Sequence, residues 1–111
     1  MGYISTIAVS GLQAASVKLA NAANNIVNAE SEGYVPTDTV QSPRNGGGVK
    51  VSLVERPDAV SPVSGLPNID ITEEIVDSAV AAQAYEASAA IVGVDKDLHE
   101  VLLDSIDGKD E

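Results

Sequence analysis

The stretch NIDITEEIVDSAVAAQAYEASAAIVGVDKDLHEVLLDSIDG, residues 68–108, is the longest uninterrupted helical pattern in the chain. Asp70 followed by Glu73 reads as a variant of the capping box, with the Asp70 carboxylate accepting from orphaned N–H groups of the first turn. Apolar or small residues then recur in steps of three and four: Val76, Val80, Gln83, Ala87, Ile91, Val94, Leu98 and Val101. That spacing is close to a heptad repeat. A second row, Ile75, Ala79, Ala82, Ala90 and Leu102, widens the face. Glu73, Glu74 and Asp77 suit the positive end of a helix, and Asp107-Gly108 suits its finish through a left-handed glycine cap. The expected element is one amphipathic helix over residues 70–107. Gly93 within it, costly against alanine, is expected to mark a close approach to a neighbour.

Working toward the N-terminus, residues 35–69 change character. All five prolines (Pro36, Pro43, Pro57, Pro62, Pro67) lie here, with the run Gly46-Gly47-Gly48. Val49 to Glu55 alternates as a strand does, and Thr37 to Gln41 is expected to pair with it across the Pro43–Gly48 loop. Residues 56–67 read as extended linker, since proline opposes both helix and central strand.

Residues 3–29 form a second helical pattern, with Ile4, Ala8, Leu12, Ala15, Leu19, Ala22 and Ile26 on one face. The opposite side is Ser5, Gln13, Ser16, Lys18, Asn21 and Asn24, polar but hardly charged. Such a side fits either cover by other protein or a neutral solvated surface. Asn24, Asn25 and Asn28 compete for backbone hydrogen bonds within a helix, so their clustering argues for amide contacts to a facing helix or a neighbouring subunit. Gly33 marks a stop, with Tyr34 placed to fold back over the helix end.

The expected architecture is a single domain over residues 1–111, mainly α. Two long terminal helices pair as an antiparallel coiled-coil-like hairpin through Ala-rich faces, around a small β-hairpin excursion at 35–67. Length allows one domain and no more. Hydrophobic content is 44%, but Phe and Trp are absent, so the core built from Ala and Val should be thin and should lean on partners.

Charge is unevenly placed within the net −11. Residues 1–60 carry Lys18, Arg44, Lys50 and Arg56 against Glu30, Glu32, Asp38, Glu55 and Asp58, a balance of −1. Residues 61–111 carry Lys96 and Lys109 against twelve acids, a balance of −10. A half so acidic repels nucleic acid and anionic lipid, so neither is an expected partner. No apolar run approaches the roughly 20 residues of a membrane span, and no cleaved secretory signal is visible, so export would use another route.

Catalytic constellations are missing. There is no cysteine, and the single histidine, His99, has only Asp95 one turn back, a pair common on exposed helices. The carboxylates lie along a solvated helix with no cleft implied. The Gly46-Gly47-Gly48 run lacks the Lys-Ser/Thr and helix start of a phosphate loop. No enzyme activity, cofactor or metal is expected.

Two segments carry a family resemblance. Gly11-Leu12-Gln13-Ala14, Leu19-Ala20-Asn21, Ala23-Asn24-Asn25-Ile26-Val27-Asn28-Ala29 and Gly33-Tyr34 resemble the N-terminal motif of flagellar rod and hook proteins. Asn68 to Val76, with Gln83-Ala84-Tyr85-Glu86-Ala87, is similar to that family's C-terminal helix. Gly47-Gly48-Val49-Lys50-Val51 followed by Glu55 and Pro57 is similar to the middle region of the proximal-rod type. Together the segments cover well over half the chain. The resemblance implies a structural subunit of the bacterial flagellar basal-body rod, exported by the flagellar type III apparatus without a cleaved signal and contributing to motility. Its partners would be itself, other rod and axial proteins, and the export apparatus. The assembly residues would be Leu12, Leu19, Asn24, Asn25, Ile26 and Asn28 on the first helix. On the second they would be Val76, Val80, Gln83, Tyr85, Ala87, Ile91, Val94 and Leu98. The chain departs from the family in its trimmed middle region and in the acids Asp95, Asp97, Glu100, Asp104 and Asp107. The competing expectation is a soluble helical-hairpin adaptor or regulator that does not polymerise.

Overall fold

The computed structural model describes residues 2–108. Helix α1 spans Tyr3–Val27, strands β1 and β2 span Thr37–Pro43 and Val49–Glu55, and helix α2 spans Ile71–Asp107. The strands form an antiparallel two-stranded sheet with Thr37 opposite Glu55 and Pro43 opposite Val49. Positive φ at Gly46, Gly47 and Gly48 closes the turn between them, a conformation that side chains with a Cβ resist.

Helix α2 starts as its sequence specifies, with the Asp70 carboxylate accepting from the Glu73 N–H at 3.2 Å. Its end differs from expectation: Gly108 is right-handed at φ −66°, its N–H donating back to the carbonyls of Asp104 and Ile106. Helix α1 stops two residues before the expected 29. The Asn28 amide donates to the Asn24 carbonyl, and the Ala29 N–H turns to Ile26, tightening the last turn. Tyr34 does fold back over this end, its hydroxyl donating to Asn25 Oδ1 at 2.7 Å. Residues 56–67 are more ordered than a linker. Pro57–Ala59 make one 3₁₀ turn with proline at its start, where a missing N–H costs nothing, and Val60 bridges Pro67 around a tight loop.

The helices lie side by side and antiparallel. Ser5 hydrogen-bonds Asp95 at one end of the seam and Asn25 hydrogen-bonds Glu74 at the other, about 30 Å apart along each helix. Helix α1 is central, with α2 on one side and the hairpin on another; the backbones of α2 and the hairpin stay apart, and the two meet only as walls of shared surface grooves, Thr39 with Val80 and Val49 with Ala84. Two residues expected on the polar outer side of α1 are therefore inside: Ser5 meets α2, and Asn21 donates to the Thr37 carbonyl of β1.

The seam is built of small side chains. Within the helices, the buried apolar residues are five alanines, Ala8, Ala14, Ala15, Ala22 and Ala81. The point of close approach is Gly11, where a Cβ would come within 2.8 Å of Ser88 Oγ. Gly93, expected to play that part, is exposed and a Cβ there would meet nothing. The radius of gyration is 19.8 Å, against about 13 Å for a compact domain of this length. The chain is a thin rod 78 Å long rather than a body around a core.

Candidate assembly surface

Helix α2 carries two distinct rows of heptad-like spacing. Glu74, Ala81, Ser88 and Asp95, seven residues apart, face α1, with Glu74, Ala81 and Asp95 buried and Ser88 half-buried. The apolar row expected to organise the helix stays outside the seam, with Ile91 and Leu98 at its flank: Val76, Val80, Ile91, Val94 and Leu98 are 47–59% exposed, and Gln83 and Ala87 are exposed with them. Packing chooses the small row because α1 offers Ala8, Gly11, Ala15 and Ala22, over which backbones approach closely. Polar pairs then reach across at both ends and hold the register. Placing Ile and Val between the helices would open that distance and break both pairs.

The sequence-selected residues thus divide. Leu19 and Asn24 on α1 are exposed, Leu12, Ile26 and Asn28 are half-buried, and Tyr85 on α2 is 47% exposed. Asn28 is used locally, capping its own helix. Asn25 is fully buried and spent within the chain. Its amide donates to the Thr37 carbonyl at 2.9 Å and to Glu74 Oε1 at 3.0 Å. Its oxygen accepts from the Tyr34 hydroxyl at 2.7 Å and the Thr37 N–H at 3.3 Å. One side chain therefore ties α1, the turn, β1 and α2 together, with all its hydrogen-bonding capacity used.

Glu74 pays the cost of this arrangement electrostatically. Burial away from water pushes its carboxyl above the ordinary glutamate range, opposed by the Asn25 hydrogen bond and assisted by the Asp77 charge. Arg56, which lowers it slightly, is 3.0 Å from Asp38 across the hairpin base. Sequence reading missed Glu74, Ser5 and Asn21, although the seven-residue spacing of Glu74, Ala81, Ser88 and Asp95 was available as a signal.

Exposed large apolar side chains are the dominant feature of the surface. On α2 they continue from Ile75 to Ile106, and on α1 they include Ile4, Val17, Leu19 and Val27. Ile4, Ala90, Ile91, Val94 and Leu98 line an apolar groove of about 250 Å³ between the two helices. Beyond it α2 overhangs. Gly2 lies against Asp95 and His99, so the turns from Glu100 to Asp107 run past the start of α1 with Val101, Leu102, Leu103 and Ile106 all 60–63% exposed. Covering any one of these would contribute about 1.5–3 kcal/mol. A surface of this kind on a single chain marks an interaction site.

Among the described residues no three His, Asp or Glu groups are placed to hold a metal. Within the same residues no helix is long and apolar enough to cross a membrane. His99 Nε2 is 3.7 Å from Asp95 Oδ1, and the other oxygen of Asp95 accepts from Ser5, so the carboxylate sits between serine and imidazole and no serine–histidine contact forms. That order cannot activate the hydroxyl as a nucleophile. Compared with protein-family models and with curated proteins, the chain matches none.

Proposed function

We propose that this chain is a non-enzymatic structural subunit of the bacterial flagellar basal-body rod, assembling through its terminal helices with copies of itself and other axial proteins. The observation that carries the reading is the inversion of apolar side chains. Alanines fill the seam within the subunit, while Leu19, Val80, Ile91, Val94 and Leu98 remain outside it. A subunit destined for a tube needs this distribution, because its largest apolar contacts are made with neighbours. The resemblance of segments from Gly11 to Tyr34, and of Asn68–Val76 with Gln83–Ala87, to flagellar rod and hook proteins supports that choice of assembly. In that assembly the outward rows of α1 and α2 pack as coiled-coil-like layers.

Export through the flagellar apparatus without a cleaved signal fits a thin chain whose helices part at small energetic cost. The test is fractionation of intact basal bodies, probing for the chain in the rod fraction and the cytoplasm. Recovery with the rod supports the reading. Recovery only as a stable small oligomer in the cytoplasm overturns it in favour of a non-polymerising adaptor.

A further inference from the structure

The overhanging end of α2 combines exposed apolar residues with one sign of charge. From Asp97 to Asp107 it carries Asp97, Glu100, Asp104 and Asp107 with no Lys or Arg. These acids lie together on one side of the helix, between Leu103 and Val101, and so border the apolar arc of Val101, Leu102, Ile106 and Leu103 that continues from the Ile4–Ile91–Val94–Leu98 groove. The complementary charge is elsewhere on the same chain. Residues 39–54 contain Arg44 and Lys50 and no acid. Both cations are exposed beside the hairpin turn, and Val40 and Val54, on the sheet face that carries Lys50, are 50% and 48% exposed.

The turn sits at the same end of the molecule as the overhang, fixed there by the Tyr3 hydroxyl donating to the Gly46 carbonyl at 2.9 Å and by the Val49 N–H donating to Ser10 Oγ at 3.1 Å. Within one subunit α1 separates the hairpin from α2. The ion pairs among the described residues join Arg56 to Asp38 and His99 to Asp95, and include neither Arg44 nor Lys50. Basic and acidic apolar surfaces thus share one end of the rod without meeting. Resting on the reading of the chain as an assembling subunit, we infer that the acid-rimmed overhang of α2 is covered by the basic hairpin of a second copy.

Contact of this kind overcomes the repulsion between two acidic chains because distant charges are screened beyond about 8 Å at physiological salt while apposed ones are not. Charge complementarity then sets the partner and register, and the apolar strip supplies the cohesion.

Full-length chains test this by sedimentation over a concentration series, with helix content followed by circular dichroism. The wild type is expected to self-associate reversibly and more weakly in 1 M salt. Arg44→Glu with Lys50→Glu, and separately Glu100→Lys with Asp104→Lys, each change only exposed residues and should each weaken association about tenfold or more with helix content retained. An equimolar mixture of the two double variants should regain wild-type association, since each supplies the charge that the other has reversed. A wild type that stays monomeric at every concentration, double variants that associate as the wild type does, or a mixture that gains nothing would each overturn the inference. Failure here is separable from failure of the rod reading. A monomer recovered from the rod fraction leaves the overhang to another axial protein, whereas a charge-swappable dimer absent from basal bodies removes the flagellar assignment and keeps the contact.

Discussion

The two ends of the helix pair are built on opposite plans. Where α1 finishes, Asn25 gathers Thr37, Tyr34 and Glu74 into a buried, fully paired polar cluster. Where α2 finishes, Val101, Leu102, Leu103 and Ile106 stand in solvent with no facing element among the described residues. The first end spends directional bonds to define one conformation of one chain. The second holds its apolar surface in reserve for another chain. A seam of alanines gives little cohesion, so the polar end decides how the helices align, and the apolar end decides what the subunit joins.

Substitutions at either end test this contrast. The largest effect is expected from Ile91→Asp or Leu19→Asp, which should abolish incorporation into the rod and motility. Leu19 is exposed and Ile91 lies at the open flank of the seam, so the stability of the isolated chain should change by no more than about 1 kcal/mol in thermal unfolding. A mutant that swims normally with an intact rod would remove these faces from assembly.

At the polar end, Asn25→Ala should cost about 2–4 kcal/mol in urea unfolding, because it leaves buried Glu74 and the Thr37 backbone without partners. An unchanged midpoint would show that the cluster does not hold the helices together. Gly11→Leu should cost about 1–3 kcal/mol by forcing α1 and α2 apart at Ser88. Gly93→Ala should instead stabilise the isolated chain by about 0.5–1 kcal/mol, since the site is open and helical. The opposite signs at two glycines distinguish the seam from the outer face.

The smallest expected effect is on pH dependence. Glu74 binds its proton more tightly folded than unfolded, so its contribution favours the fold at low pH and is lost as pH rises through the elevated folded value. Glu74→Gln keeps an oxygen to accept from Asn25 and removes the charge. Its unfolding free energy should therefore fall less than that of the wild type between the ordinary glutamate pKa and neutrality. Parallel curves for the two proteins would place the Glu74 carboxyl in a wetter setting than the seam provides.

Much of the fold was legible because local chemistry specifies it. Asp70 caps a helix through its own carboxylate, proline and glycine exclude helix from the middle region, and alternation in Val49–Glu55 pairs with Thr37–Gln41 in the expected antiparallel arrangement, extended to Pro43. Tyr34 over the end of α1 followed from a glycine stop with an aromatic behind it. Gly93 and the left-handed Gly108 cap did not follow. A glycine in a helical stretch records permission for close approach or for positive φ, and the surroundings decide whether either is used.

The bounds of both helices and both strands were legible in the sequence to within about two residues, as was the helical spacing of their rows, whereas the 3₁₀ turn at Pro57–Ala59 was not. Which row turns inward was settled by packing. The reason is physical: α2 has a large apolar row and a small polar row, either able to face a neighbour. The choice depends on the partner surface, which on α1 is alanine and glycine flanked by Ser5 and Asn25. Close backbone approach and two cross-seam hydrogen bonds favour the small row, and the large one is left outside.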